Sequence, residues 1–246
     1  MITRRLAVLV FALCISCKPQ APQQQRNRSA AQPQTRATVV TIRTTVEPEK
    51  KTHTQALVIA NDRARNTSEV DVWRLFDTKA NTITYVDDLA KTIRVEKMDD
   101  AAKRHRAALA SAIPPHYPRL HAKRTGTKKA LLGVNAEQVV VQHGGYKREL
   151  WIGQHPSIPR ELFAMMQASE KPPSPLAPMM RGVEEVLLTT RGFPLADRIE
   201  VTYGNQKMVI ERAVVSVEQR EIAQAALTIP KGYEDVTPKP PAAKKK

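Results

Sequence analysis

The chain has 246 residues and a formal charge of +15, from 39 Lys and Arg against 24 Asp and Glu. The excess is terminal: all the acidic residues lie within residues 37–237, a region with 29 basic against 24 acidic residues, a net of +5. So small a balance excludes a dedicated nucleic-acid binder, and the 230 residues left after a 16-residue leader suffice for one sizeable core.

Residues 1–16 read as an export signal. Arg4 and Arg5 give a positive start, residues 6–13 an uncharged apolar run, and Cys14, Ile15, Ser16 and Cys17 close it. The run falls short of the roughly 20 apolar residues that span a bilayer, so it reads as a cleaved signal and not a transmembrane helix. The small residues Cys14 and Ser16 stand just before Cys17, where a signal peptidase needs them. The stretch resembles a bacterial lipobox with Cys14 in place of the usual leucine, and the resemblance implies a diacylglyceryl thioether on Cys17 at the mature N-terminus. Two other readings stay open: secretory cleavage at the same bond without lipid, and a Cys-x-x-Cys redox or metal pair, which here lacks a flanking strand and a second ligand pair. On either cleavage reading the mature chain has no internal disulfide.

Residues 18–35 contain no aromatic residue and no aliphatic one larger than alanine. That is too little apolar surface to offset the entropy of ordering, so residues 17–35 are expected to be the lipidated cysteine and a disordered tether. A flexible coil of that length reaches roughly 20–25 Å. From residue 36 the pattern turns to period two, through Val40, Ile42, Thr44 and Val46, then Leu57 and Ile59, then Val70, Val72 and their neighbours, then residues 82–87 and 91–95. These predict an antiparallel meander, with turns at residues 47–51, 61–63 and 66–68. A helix is predicted over residues 99–113, capped by Asp99 or Asp100, with Ala101, His105, Ala108, Leu109 and Ala112 on one face and Pro114-Pro115 beyond it. The basic stretch 121–129 has no clear pattern. Strands resume at 138–142 and 146–152 around Gly144-Gly145.

Helices are predicted at 159–168 and 175–188, the second capped by Ser174 and opened by Pro175. Met165, Met166, Met179 and Met180 cluster across the loop between them. Two readings of the cluster compete: flexible, polarizable side chains that adapt to apolar guests, and ordinary gap-fillers between helices and sheet. Strands follow at 198–203 and 207–218, and the domain is expected to close at residues 227–233. Residues 238–246 read as a disordered lysine-rich tail, either solubilising or touching anionic lipid.

In this order, with Gly192-Phe193-Pro194-Leu195 leading into residues 198–203 and the closing Ile229-Pro230-Lys231-Gly232-Tyr233, residues 36–237 resemble the periplasmic lipoprotein-carrier superfamily of LolA- and LolB-like proteins, and within it bacterial lipoproteins of unknown function. The resemblance implies a mainly β fold with helices: a strongly curved, unclosed antiparallel half-barrel covered by helices on its concave side, where acyl chains can be held. Candidates to line such a site are Met165, Met166, Met179, Met180, Trp73 and Leu109, each of which also reads as core.

Nothing in the chain marks catalysis. The six histidines are scattered, and His116 and His121 lack the helical spacing of a zinc pair. There is no Gly-x-Ser-x-Gly elbow, phosphate loop or dinucleotide fingerprint. The carboxylate pairs Asp87-Asp88, Asp99-Asp100 and Glu184-Glu185 are explained by turns, a helix cap and a solvated face. The expectation is a monomeric, non-enzymatic envelope lipoprotein without cofactor, metal or nucleic acid, held to the membrane through Cys17 and binding a lipid or acyl chain. A scaffold using the same fold with a filled core is the alternative. Lys18, where an aspartate commonly retains lipoproteins at the inner membrane, favours the outer membrane by analogy.

Overall fold

A computed structural model describes residues 33–67, 71–112, 121–170 and 184–238, with the backbone alone for Glu184, Glu185 and Tyr203. The signal, Cys17, most of the tether, Val70, Pro114, Ser174, Pro175, Met179, Met180 and the final tail lie outside the described residues.

The first six strands form a meander: β1 (Gln34–Glu47), β2 (Lys51–Ala60), β3 (Arg63–Thr67), β4 (Val72–Asp77), β5 (Thr82–Asp87) and β6 (Thr92–Lys97). Helix α1 (Met98–Ala112) leads to β7 (Lys123–Leu131), β8 (Val134–His143) and β9 (Tyr146–Gly153), followed by α2 (Leu162–Ser169) and α3 (Glu184–Thr189). The chain closes with β10 (Phe193–Tyr203), β11 (Gln206–Ala223), a 3-10 turn (Gln224–Leu227) and β12 (Glu234–Asp235). All strands join one unclosed sheet in the order β12-β6-β5-β4-β3-β2-β1-β11-β10-β9-β8-β7. The pairings are antiparallel except that of β12 with β6, which makes the sheet mixed where a purely antiparallel one was expected.

Several expectations shift. β1 begins at Gln34, inside the segment read as tether. Asn61 and Asp62 adopt the positive φ of a tight hairpin turn, as their chemistry suggests. Asn66, read as a turn residue, is instead buried within β3. Residues 121–129 mostly form β7, an edge strand whose residues are exposed except for Leu131, so it carries no apolar alternation. Asp99 and Asp100 lie inside the first turn of α1, where they favour the positive end of the helix dipole instead of capping it. At the β8–β9 hairpin, Gly144 has φ +52°, and a Cβ on Gly145 would lie 2.2 Å from the Thr202 carbonyl oxygen, so both glycines are required.

The main core lies on the helix-bearing face, where Val40, Leu57, Phe76, Ile83 and Leu150 pack with Leu109 of α1 and Leu162 and Met165 of α2. Helix α2 is apolar all round because it is enclosed on several sides, by α1, α3, β4 and β10. Arg104 ties α1 into place. It donates to both carboxylate oxygens of Glu96 (3.0 Å each), to the Tyr85 hydroxyl (2.9 Å) and to the Ala168 carbonyl (3.4 Å). The opposite face carries a smaller cluster of Trp73, Leu75, Val86 and Leu227. There the Arg65 guanidinium lies 3.9 Å over the Trp73 ring, and Trp73 Nε1 and the Tyr233 hydroxyl donate to the two oxygens of Asp88.

Two stability experiments follow from this packing. Leu57 is fully buried, and Leu57→Ala is expected to cost about 2–5 kcal/mol in urea denaturation, whereas Leu89→Ala, at an 81% exposed position, stays within about 0.5 kcal/mol. Burial alone would raise the Glu96 carboxyl, but Arg104, with Tyr85 and Arg94, outweighs it and holds the group below its ordinary 4.5. A depressed folded-state value stabilises above the unfolded value and is lost as the pH falls through the folded one. Glu96→Gln is therefore expected to lower stability at neutral pH and to flatten its decline below about pH 4.5, measured by denaturation at a series of pH values.

Candidate functional site

Between α2 and the sheet lies a cleft of about 170 Å³. On the helix side its lining residues are Phe163, Met166, Gln167 and Glu170, spaced three and four apart and so on one face of the helical turn and its cap. On the sheet side the register decides what faces it. His53 of β2 stands opposite Thr44 of β1, Thr44 opposite Arg212 of β11, and Arg212 opposite Asp197 of β10. These four strands thus present one polar row across the sheet. One step along the strands the row is Gln55, Ile42 and Val214, and beyond it come Leu57, Val40 and Val217. The cleft thus has a polar lining, from the polar row and from Gln55 and Asn66, and an apolar one, from Ile42, Phe163, Met166, Phe193 and Pro194.

Arg212 faces this side because of a bulge. The β1–β11 register shifts between Thr41, opposite Ser216, and Ile42, opposite Val214, leaving Val215 as an extra residue. Val217 on one side of it and Val214 on the other both pack on the main core, so the inward parity changes from odd to even numbers and takes in Arg212.

Behind the row, Arg148 of β9 makes a two-point pair with Asp197, from Nε at 2.9 Å and from a terminal nitrogen at 2.8 Å, with both side chains almost fully buried. Burial opposes the charge on Arg148, yet the adjacent Asp197 carboxylate prevails and holds it above the ordinary guanidinium value. Arg212 reaches the same carboxylate only at 3.4 Å, and its side chain is 46% exposed. The Tyr146 hydroxyl is buried beside Arg148, and that burial pushes its pKa above the ordinary phenol value. On the rim, His105 Nδ1 donates to the Glu170 carbonyl at 3.1 Å.

The expected ligand residues divide. Met166 lines the cleft, Met165 is 1% exposed and packs into the core, and Leu109 joins the same core on α1. Trp73 lies on the opposite face, in the smaller cluster. Met179 and Met180 lie outside the described residues. Arg148, Asp197 and Arg212 were not expected. A signal for two of them was present: Arg148 shares its strand parity with Tyr146, Leu150 and Ile152, and Asp197 with Leu195 and Ile199, so each puts a charge on an apolar face. Among the described residues, no group of three or more His, Cys, Asp or Glu could hold a metal ion. No helix among them is long and apolar enough to cross a membrane.

No family model matches the chain, and no curated protein matches it. Among solved structures it is similar to PNGF-II in a C2 crystal form (TM-score 0.45, 13% identity, covering 83% of this chain and 31% of that one) and in a P21 form (TM-score 0.43, 12% identity, covering 83% and 32%). The chain thus spans about a third of the PNGF-II chains it matches. A LolA superfamily protein, NE2245 from Nitrosomonas europaea, matches with a TM-score of 0.25 and 10% identity over 80% of this chain and 91% of that one.

The buried pair is open to a mutant cycle. Arg148→Met is expected to cost about 3 kcal/mol, near the lower end for an orphaned buried charge because Arg212 stays within reach of Asp197. Adding Asp197→Leu removes the orphan and recovers most of that loss, measured by chemical denaturation of the two single variants and the double one.

Proposed function

We propose that this chain is a membrane-anchored envelope lipoprotein whose domain binds an apolar or amphiphilic molecule without catalysing its conversion. The anchor is Cys17 and the outer membrane its site, on the lipobox-like leader and Lys18. The sheet is read as a half-barrel curled around its helices. Supporting this, α2 touches both β4 and β10, which are five strand positions apart. In a flat sheet those strands would lie about 24 Å apart, while an eight-residue helix is only about 12 Å long. The observation that carries the binding reading is the cleft under α2, whose lining combines the apolar side chains of Phe163, Met166 and Phe193 with a polar row.

A second reading, a scaffold protein with a filled core, is favoured by two observations. Met165 is packed into the core, and about 170 Å³ is less than the roughly 300–1,000 Å³ of drug-sized ligand sites. The two are separated by making the chain with Cys17→Ser, purifying it without detergent and analysing an organic extract by mass spectrometry. Ligand binding predicts a stoichiometric hydrophobic molecule, and saturable uptake of a fluorescent fatty acid by emptied protein. A chain that is repeatedly empty and takes up no probe is a scaffold.

A further inference from the structure

We propose, resting on the reading of the cleft as a ligand site, that its ligand is an anionic amphiphile whose charged head is held by Arg212. The polar row contains one carboxylate, Asp197, and that carboxylate is already neutralised by the buried Arg148, which takes both its oxygens. Arg212 adds only a 3.4 Å contact to an oxygen Arg148 holds at 2.8 Å. A guanidinium has five N–H donors in a planar fork, so most of the capacity of Arg212 is left for another partner. The position is also right: Arg212 lines the cleft, and its side chain is nearly half exposed.

A fork of this kind matches a carboxylate or a phosphate, each offering two coplanar or near-coplanar oxygens. The neighbours in the row, Thr44 and His53, supply further polar atoms around such a head. Glu170, on the helix side, adds one negative charge to the lining of the cleft. From a head at Arg212 the strand direction leads over Ile42 toward Phe163 and Phe193, which gives the apolar tail its course.

The test uses the full chain with Cys17→Ser and labelled methionine methyl groups, titrated with octanoate, octyl phosphate, octanol and octylammonium and read by NMR at Met166, which lines the cleft. Octanoate or octyl phosphate is expected to bind at least about tenfold more tightly than octanol or octylammonium, the scale of one charge-assisted hydrogen bond. Which of the two anions is tighter identifies the head as carboxylate or phosphate. Arg212→Gln is expected to bring the preferred anion down to the affinity of octanol, and Arg212→Lys to keep part of the preference. Equal binding of anions and octanol by the parent chain, or an anion affinity untouched by Arg212→Gln, overturns the headgroup assignment while the ligand site stands. Failure of all four compounds to shift Met166 overturns the ligand site and this inference with it.

Discussion

The pairing of β1 with β11 is the constraint on which the rest of the molecule depends. It joins residues some 180 positions apart, from Gln34 against Ala223 to Glu47 against Val209, and it lies between the β2–β6 and β10–β7 sides of the sheet. Most pairings within each side are local hairpins; the exception is β9 with β10, which are separated in the chain by α2 and α3. This ladder joins the two sides strand to strand, and α2, in contact with both β4 and β10, braces them across the helix-bearing face. A slip of one residue would turn every inward side chain of β11 outward, removing Val214 from the core and Arg212 from the cleft together. The bulge at Val215 makes the setting specific, because only with it do Val217 above and Arg212 below face the same side.

A second theme is how charge is placed inside a mainly apolar layer. Arg104 with Glu96 and Tyr85, and Arg148 with Asp197, each bring a guanidinium to the helix-bearing side and each satisfy it with two-point geometry. The first joins helix to sheet, through the Ala168 carbonyl as well. The second joins strand to strand and leaves Arg212 with only a 3.4 Å contact to Asp197. Burying such pairs contributes little net stability compared with apolar packing, but an orphaned member is costly, so each pair resists rearrangement of the elements it connects.

Much of the strand and helix pattern was legible in the chain, because it follows from apolar spacing. The meander, α1 and the hairpin at Gly144-Gly145 all have it. β3 and β7 do not. In β3 the inward residues are Ala64 and Asn66, too small or too polar to register as a hydrophobic period, and β7 is held by backbone pairing to β8 with scarcely any buried side chain. β12 pairs over only two residues. The site was less legible for a different reason. The methionines drew attention because they are apolar and adaptable, and Met166 does line the cleft. Along a single strand the charged row shows only as Asp197 on the apolar parity of β10; its assembly with Arg212 arises from cross-strand register and a bulge. Trp73 shows the same limit: its apolar character signals burial, while the face on which it is buried is settled by the phase of its neighbours.

The two edges of the sheet are unlike. At one, β12 lies along β6, with the Val236 amide donating to the Ile93 carbonyl and the Val95 amide donating to the Thr237 hydroxyl. At the other, among the described residues, β7 has no outer neighbour, and its ladder to β8 is interrupted between Arg124 and Lys128. Lysines and a bulge are what keep an open strand from recruiting another. β12 covers only the first part of β6, through Thr92 and Ile93. The two ends of the sheet are thus shielded by different means, one by a short strand laid along it and the other by its own charge and irregular pairing.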